Sequence, residues 1–174
     1  MMILIAGIGN IFHGDDAFGV EVVNCLSKRS LPVEARVVDF GIRGFDLAYA
    51  LLDGYDAAIL LDATRRGGLP GTIYTLEIDG STDEANEPTA GVATHGMDPV
   101  RVLEMARAMG GCTGRILLVG CEPETLGPED EGQMGLSKTV AASVEAAADV
   151  VEMLIAKILR DGVPNAGTRA QQLT

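Results

Sequence analysis

Cations are scarce in this chain: its 174 residues carry 13 lysines and arginines against 25 aspartates and glutamates, a formal charge of −12 at pH 7. Nucleic-acid binding rests on clustered Lys and Arg that release counterions from phosphates, so a nucleic-acid partner is excluded. Long apolar runs are missing as well. The N-terminal run, Met2–Ala6, falls far short of the roughly 20 residues that span a bilayer, and no basic segment precedes it as in a secretory signal. No membrane association is expected. Cysteine is limited to Cys25, Cys112 and Cys121, with no C-x-x-C pair, which leaves no disulfide framework and reads them as reduced core residues of a cytoplasmic protein. Pro/Ser-rich linkers, internal repeats and low-complexity segments are absent too. With 47% apolar residues the chain can bury one full core, so a single catalytic domain is expected over residues 1–161, with a polar, flexible tail over 162–174.

What the chain does have is a series of short apolar runs separated by helical patterns. Met2–Ala6 and Ala57–Leu61 are continuously apolar, as in strands covered on both faces. The segment from Val33 to Asp39 alternates more and reads as a strand nearer a sheet edge. Phe18, Val22, Cys25 and Leu26 recur at helical spacing, with Lys28 and Arg29 in the last turn. A second helix places Phe45, Ala48, Leu51 and Leu52 on one face. Thr72–Ile78 follows too short a link for a helical crossover, so that strand is expected to be antiparallel. Asp98-Pro99 starts a helix to about Met109, Arg115–Gly120 is another buried strand, and one long helix is expected from Ser137 to Leu159. The fold class is α/β: three layers, α/β/α, around a mostly parallel five-stranded sheet carrying one antiparallel strand.

Right-handed crossovers make the first three strands parallel neighbours, so their carboxyl ends share one sheet edge. Asp16 follows the first, Asp39 closes the second and Asp62 closes the third, so three distant acids converge where open α/β sheets bind ligands. Gly7 and Gly9 allow a tight turn, and the Asn10 side chain can close it. An Asp ahead of a helix is very often only an N-cap; here there are two, Asp15 and Asp16. The same glycines suit neither a dinucleotide, because Phe12 stands where a third glycine is needed, nor an anion cradle, because no cation lies between Met1 and Asn24. His95 sits near the end of a long polar loop over residues 79–97. Most isolated histidines are structural or solvated, yet two carboxylates and an imidazole form an O, O, N set suited to a divalent transition metal. His13, in the turn before the acids, ranks lower.

These residues resemble the nickel-iron hydrogenase maturation endopeptidases, which trim the C-terminal extension of the hydrogenase large subunit. The resemblance is carried by Gly7-x-Gly9-Asn10 with Gly14-Asp15-Asp16 and Gly19, then Asp39-x-Gly41 with Gly44, Asp62-Ala63, His95-Gly96, Gly120-Cys121-Glu122-Pro123-Glu124-Thr125-Leu126 and Gly135-Leu136-Ser137. It covers roughly residues 2–160. It implies a metal-gated endopeptidase in which Asp16, Asp62 and His95 contact nickel, supplied by the precursor rather than held tightly by the free enzyme. Asp16, Asp62 and Asp39 are then the catalytic candidates, with Asp39 as base or substrate-orienting group, and either nickel or a carboxylate activates water. Gly9, Asn10, Gly41 and Arg43 are expected to bind substrate; a surface ion pair is the alternative for Arg43. Two features depart from many relatives, which have a second glycine and a hydroxyl residue after the acid of strand two and often Glu at the position of Asp16. The expected partner is the large-subunit precursor, met by a monomer or weak oligomer. The non-catalytic alternative is a nickel-sensing chaperone that binds the precursor and leaves its tail intact; a nucleoside- or phosphate-handling enzyme is a weaker one.

Overall fold

The apolar runs pair side by side in a computed structural model that describes residues 1–78, 98–111, 114–127 and 132–162. Strand β1 (Ile3–Ile8) leads through a 3-10 turn (Gly14–Ala17) into helix α1 (Phe18–Leu26); then come β2 (Ala35–Gly41), α2 (Gly44–Ala50), β3 (Ala57–Ala63), β4 (Ile73–Ile78), α3 (Pro99–Ala108), β5 (Arg115–Cys121), α4 (Lys138–Ala141) and α5 (Val144–Asp161). The sheet order is β2-β1-β3-β5-β4. β1, β2, β3 and β5 are parallel, and β4 runs antiparallel to β5, so the five-stranded mixed sheet is as expected. The continuously apolar strands β1 and β3 sit inside the sheet with nearly every residue buried, and the more polar β2 lies at an edge.

Strand alternation divides the core into two layers. Ile3, Ile5, Ile59, Leu61 and Val119 face α1 and α5, where Phe18, Val22, Val151 and Ile155 pack against them. Leu4, Ala6, Leu60 and Leu118 face α2 and α3, meeting Leu47, Leu51, Val102 and Leu103. Among the described residues no helix is long and apolar enough to cross a membrane. Cys25 and Cys121 are free thiols, Cys121 fully buried at the end of β5. Cys112, the loop over 79–97 with His95, and residues 163–174 of the tail lie outside the described residues.

Three helix expectations are corrected. In α2 the buried face is Leu47, Ala48 and Leu51, while Phe45 and Leu52 are 69% and 37% exposed; Phe45 lies two residues, about 200° of turn, from Leu47 and so on the opposite side. The long C-terminal helix is broken between Ala141 and Val144. There the Ser143 hydroxyl donates to the Gly71 carbonyl at 2.8 Å and its N–H bonds Val140 rather than continuing the α pattern, a side-chain competition typical of serine. The apolar stripe survives the break, since Val140, Ala148, Val151, Ile155 and Ile158 are all buried. Finally, Lys28 and Arg29 fall beyond the end of α1, and Arg29 reaches Glu145, Asp149 and Glu152 on α5 instead of its own helix terminus.

One buried carboxylate ties the carboxyl edge together. Asp15 is fully buried, and it accepts the N–H groups of Glu124 (2.8 Å), Thr125 (2.9 Å) and Ser137 (2.6 Å). Its own N–H donates to the Thr125 carbonyl at 2.9 Å. The segment after β5 and the start of α4 are thereby fastened to the turn that follows β1. Asp15→Ala leaves three amide donors unpaired, and urea unfolding is expected to show a loss of about 3 kcal/mol or more. A loss under about 1 kcal/mol would mean that water replaces the carboxylate.

Candidate active site

The turn after β1 is shaped by close backbone approach. Gly9 has φ +134°, and a Cβ there would lie 1.7 Å from the Asp16 carbonyl oxygen; at Gly19 it would lie 2.1 Å from the Leu61 carbonyl oxygen. No side chain fits at either position, so the 3-10 turn bearing Asp16 seats directly on the ends of β1 and β3. Asn10 closes the turn as expected, its side-chain oxygen accepting the Phe12 N–H at 3.0 Å. The Asn10 N–H donates to Asp16 Oδ2 at 2.7 Å. That donor, which an anion cradle would offer to a phosphate, is taken by the protein's own carboxylate.

Neither adjacent acid caps α1. Its N-cap is Ala17, without a side-chain hydrogen bond; Asp15 tethers the distant loop, and Asp16 faces the turn. Asp98 does cap α3, accepting the Val100 N–H at 2.9 Å with Pro99 following.

Asp62 lies at the end of β3, 9% exposed and opposite Gly120 of β5. Burial pushes its carboxyl well above the ordinary aspartate range, and the negative charge of Asp16, with a smaller part from Asp98, pushes it further. Asp16 is raised as well, by burial first; the Asn10 N–H and the nearby His13 work against that. Among the described residues neither carboxylate has a lysine or arginine partner. Two neighbouring acids in that state favour a shared proton or a bound cation.

Asp39 shares their edge but not their face. It pairs with Gly7 of β1, in register with Leu61 of β3, and so belongs to the layer facing α1 and α5; Asp62, one residue past Leu61, belongs to the opposite layer. Asp39 is exposed and lines an open cleft of about 530 Å³ with Ala17, Val20 and Glu21. The edge convergence of three acids holds, therefore, while burial and electrostatics couple only Asp16 and Asp62.

Arg43 donates to the carbonyls of Asp39 and Phe40, the second at 3.1 Å, and lies 3.8 Å from Asp46. Its guanidinium holds the end of β2, in keeping with the ion-pair alternative. Gly41, at φ +54°, packs against this turn, and its carbonyl accepts the Gly9 N–H at 3.0 Å. His13 is half-buried and close enough for its charge to act on Asp16. Among the described residues no three His, Cys, Asp or Glu side chains group as a metal site; His95, the third ligand implied by the resemblance, lies outside them.

Sequence reasoning missed two organising groups. Asp15 is one. The other is Glu122, buried just past β5, where it accepts the Arg66 N–H (2.8 Å), the Gly68 N–H (3.1 Å) and the Tyr74 hydroxyl (2.9 Å). Burial works to raise its carboxyl, but these donors together outweigh that and hold it below the usual range. It orders the loop leaving β3 just beyond Asp62. A signal existed: Glu122 closes an apolar run, as Asp39 and Asp62 do.

Three comparisons bear on this geometry. A family model described as hydrogenase maturation protease matches residues 20–154. The Hydrogenase 2 maturation protease of Escherichia coli K12 is 32% identical over 167 residues, covering 94% of this chain and 94% of that protein. The hydrogenase expression/formation protein HupD of Rhodobacter capsulatus is 33% identical over 144 residues, 82% of this chain and 66% of that one. Among solved structures, the hydrogenase maturating endopeptidase HybD from E. coli superposes with a TM-score of 0.73 at 30% identity, over 94% of this chain and 95% of that one.

Because folding raises the Asp62 pKa, the folded chain holds that proton longer than the unfolded one. Stability then falls as pH rises from the ordinary aspartate value towards the folded one, and stays level above it. Asp62→Asn is expected to make that falling limb shallower and to stabilise the protein near neutrality by on the order of 1 kcal/mol. Urea unfolding from about pH 4 to about pH 9 checks this; an unaltered profile would remove burial of Asp62 as a source of pH dependence.

Proposed function

The chain belongs to the hydrogenase maturation protease family and is a hydrolase, and from that premise we propose that it removes the C-terminal extension of a nickel-iron hydrogenase large-subunit precursor after nickel has been inserted. The observation that carries this reading is the pair Asp16 and Asp62: two neighbouring carboxylates, both raised by burial, with no lysine or arginine beside them among the described residues. A divalent cation is what such a pair lacks, and oxygen donors with an added imidazole suit nickel. Asp16, Asp62 and His95 are the proposed grip, and the nickel belongs to the substrate.

In this reading the enzyme recognises a loaded precursor by its metal, and the grip holds the scissile bond in place, where positioning removes much of the barrier. Water adds across the peptide bond: its oxygen goes to the carbonyl carbon, and a proton goes to the departing amine. Asp39, on the other face of the edge, orients the incoming chain along the cleft it lines. Arg43 acts through the end of β2, whose carbonyls it holds. The free thiols and the lack of a membrane-spanning helix among the described residues are compatible with work in the cytoplasm, where the precursor would be met.

The purified protein is to be incubated with nickel-loaded and nickel-free precursor, and the mass of the precursor's C-terminus followed. Loss of the tail from the loaded form alone is the expected result, and Asp62→Asn should lower cleavage by at least about a hundredfold. Binding with an intact tail in both forms would favour a chaperone. Cleavage by Asp62→Asn at the wild-type rate would remove the metal-grip model.

A further inference from the structure

A stable protein complex buries roughly 800 Å² on each partner, far more than a scissile peptide covers. A folded substrate therefore needs a resting surface outside the acidic centre. We propose that an apolar rim formed by Ile11, Phe12, Ile42, Phe45 and Met134 docks an apolar, basic-bordered surface of the precursor; this rests on the reading that cleavage occurs at Asp16 and Asp62.

These side chains are exposed by 40%, 54%, 62%, 69% and 71% respectively. Burying them in the fold would be favourable, yet all five stand in water at the same edge as the acids, four on loops and Phe45 in the first turn of α2. Scattered apolar side chains are ordinary on a protein surface; these are joined. The Gly9 N–H donates to the Gly41 carbonyl at 3.0 Å, placing the loop of Ile11 and Phe12 beside the turn of Ile42 that leads into α2 and Phe45. The Gln133 N–H donates to the Phe12 carbonyl at 2.7 Å, and the Gly14 N–H to the Gln133 carbonyl at 2.6 Å, placing Met134 on the other flank. Ile11 and Met134 both line the cleft that Asp39 borders, so the rim runs into the site. Met, Phe and Ile present a contact surface of the kind found at interface centres, depleted of charge at its middle.

Charge identifies the occupant. The cleft beside the rim is lined by the carboxylates of Glu21 and Asp39 and by no lysine or arginine, and Arg43, the nearest arginine or lysine in sequence, is engaged with the carbonyls of Asp39 and Phe40. A second copy of this chain would bring −12 against −12. A substrate surface that is apolar at the centre and basic at its border meets both the rim and its surroundings.

The test measures affinity rather than cleavage. Nickel-free precursor is titrated against the wild type, Phe12→Ser/Phe45→Ser and Ile42→Ser/Met134→Ser, with thermal unfolding as the check on folding. Both double variants are expected to remain folded and bind at least about tenfold more weakly. Unchanged affinity in folded double variants would overturn the rim, as would no wild-type binding of nickel-free precursor, since docking would then come from the metal alone. Wild-type dimers that dissolve on these substitutions would also overturn it, assigning the rim to a second copy. Full cleavage by Asp62→Asn, with affinity still lost in the double variants, would overturn the placement of the reaction and leave the rim standing.

Discussion

Three backbone N–H groups, those of Glu124, Thr125 and Ser137, end on the buried carboxylate of Asp15, and the carboxyl edge of the sheet is organised around that convergence. A carboxylate out of contact with water survives only when hydrogen bonds replace its hydration. Here they come from a segment more than a hundred residues downstream in the chain. The tether closes the edge: the loop after β5, the start of α4 and the 3-10 turn become one surface, and the cleft walled by Ala17 and Met134 depends on it.

Asp16, the next residue, is in the opposite condition. Asp15 spends its oxygens on the fold, whereas Asp16 has a single backbone donor and Asp62 is buried near another negative charge. Glu122 repeats the first pattern, drawing two donors from the loop after β3 and a third from Tyr74 of β4. The edge thus pairs satisfied acids, which lower the energy of the fold, with strained acids, which raise it. Stability given up at one point and recovered beside it is the usual arrangement of a functional site.

The apolar rim follows the same logic. In α2 the side chains facing the sheet are Leu47, Ala48 and Leu51, and Phe45 is left outside although it is larger than any of them. A single exposed apolar side chain is ordinary, whereas a contiguous exposed patch marks an interaction surface. The rim and the strained acids lie on one edge because both come from the carboxyl ends of parallel strands and the segments that follow them.

The fold class was legible from the sequence because continuous and alternating apolar runs report burial on two faces or one, a local property that periodicity carries directly. So were the edge position of β2, the antiparallel β4, the cap at Asp98 and the gathering of Asp16, Asp39 and Asp62 at one sheet edge, since a right-handed crossover leaves no other place for strand ends. What periodicity cannot carry is which of two adjacent acids turns inward. Asp15 and Asp16 are identical in type and neighbours in sequence, and their division of labour is set by donors on residues 124, 125 and 137. Nor does strand order alone tell that Asp39 and Asp62 lie on opposite faces: that follows from the register of β1 against both neighbours. Elements are written in local patterning; the assignment of roles to like side chains was decided only when tertiary packing brought distant backbone to them.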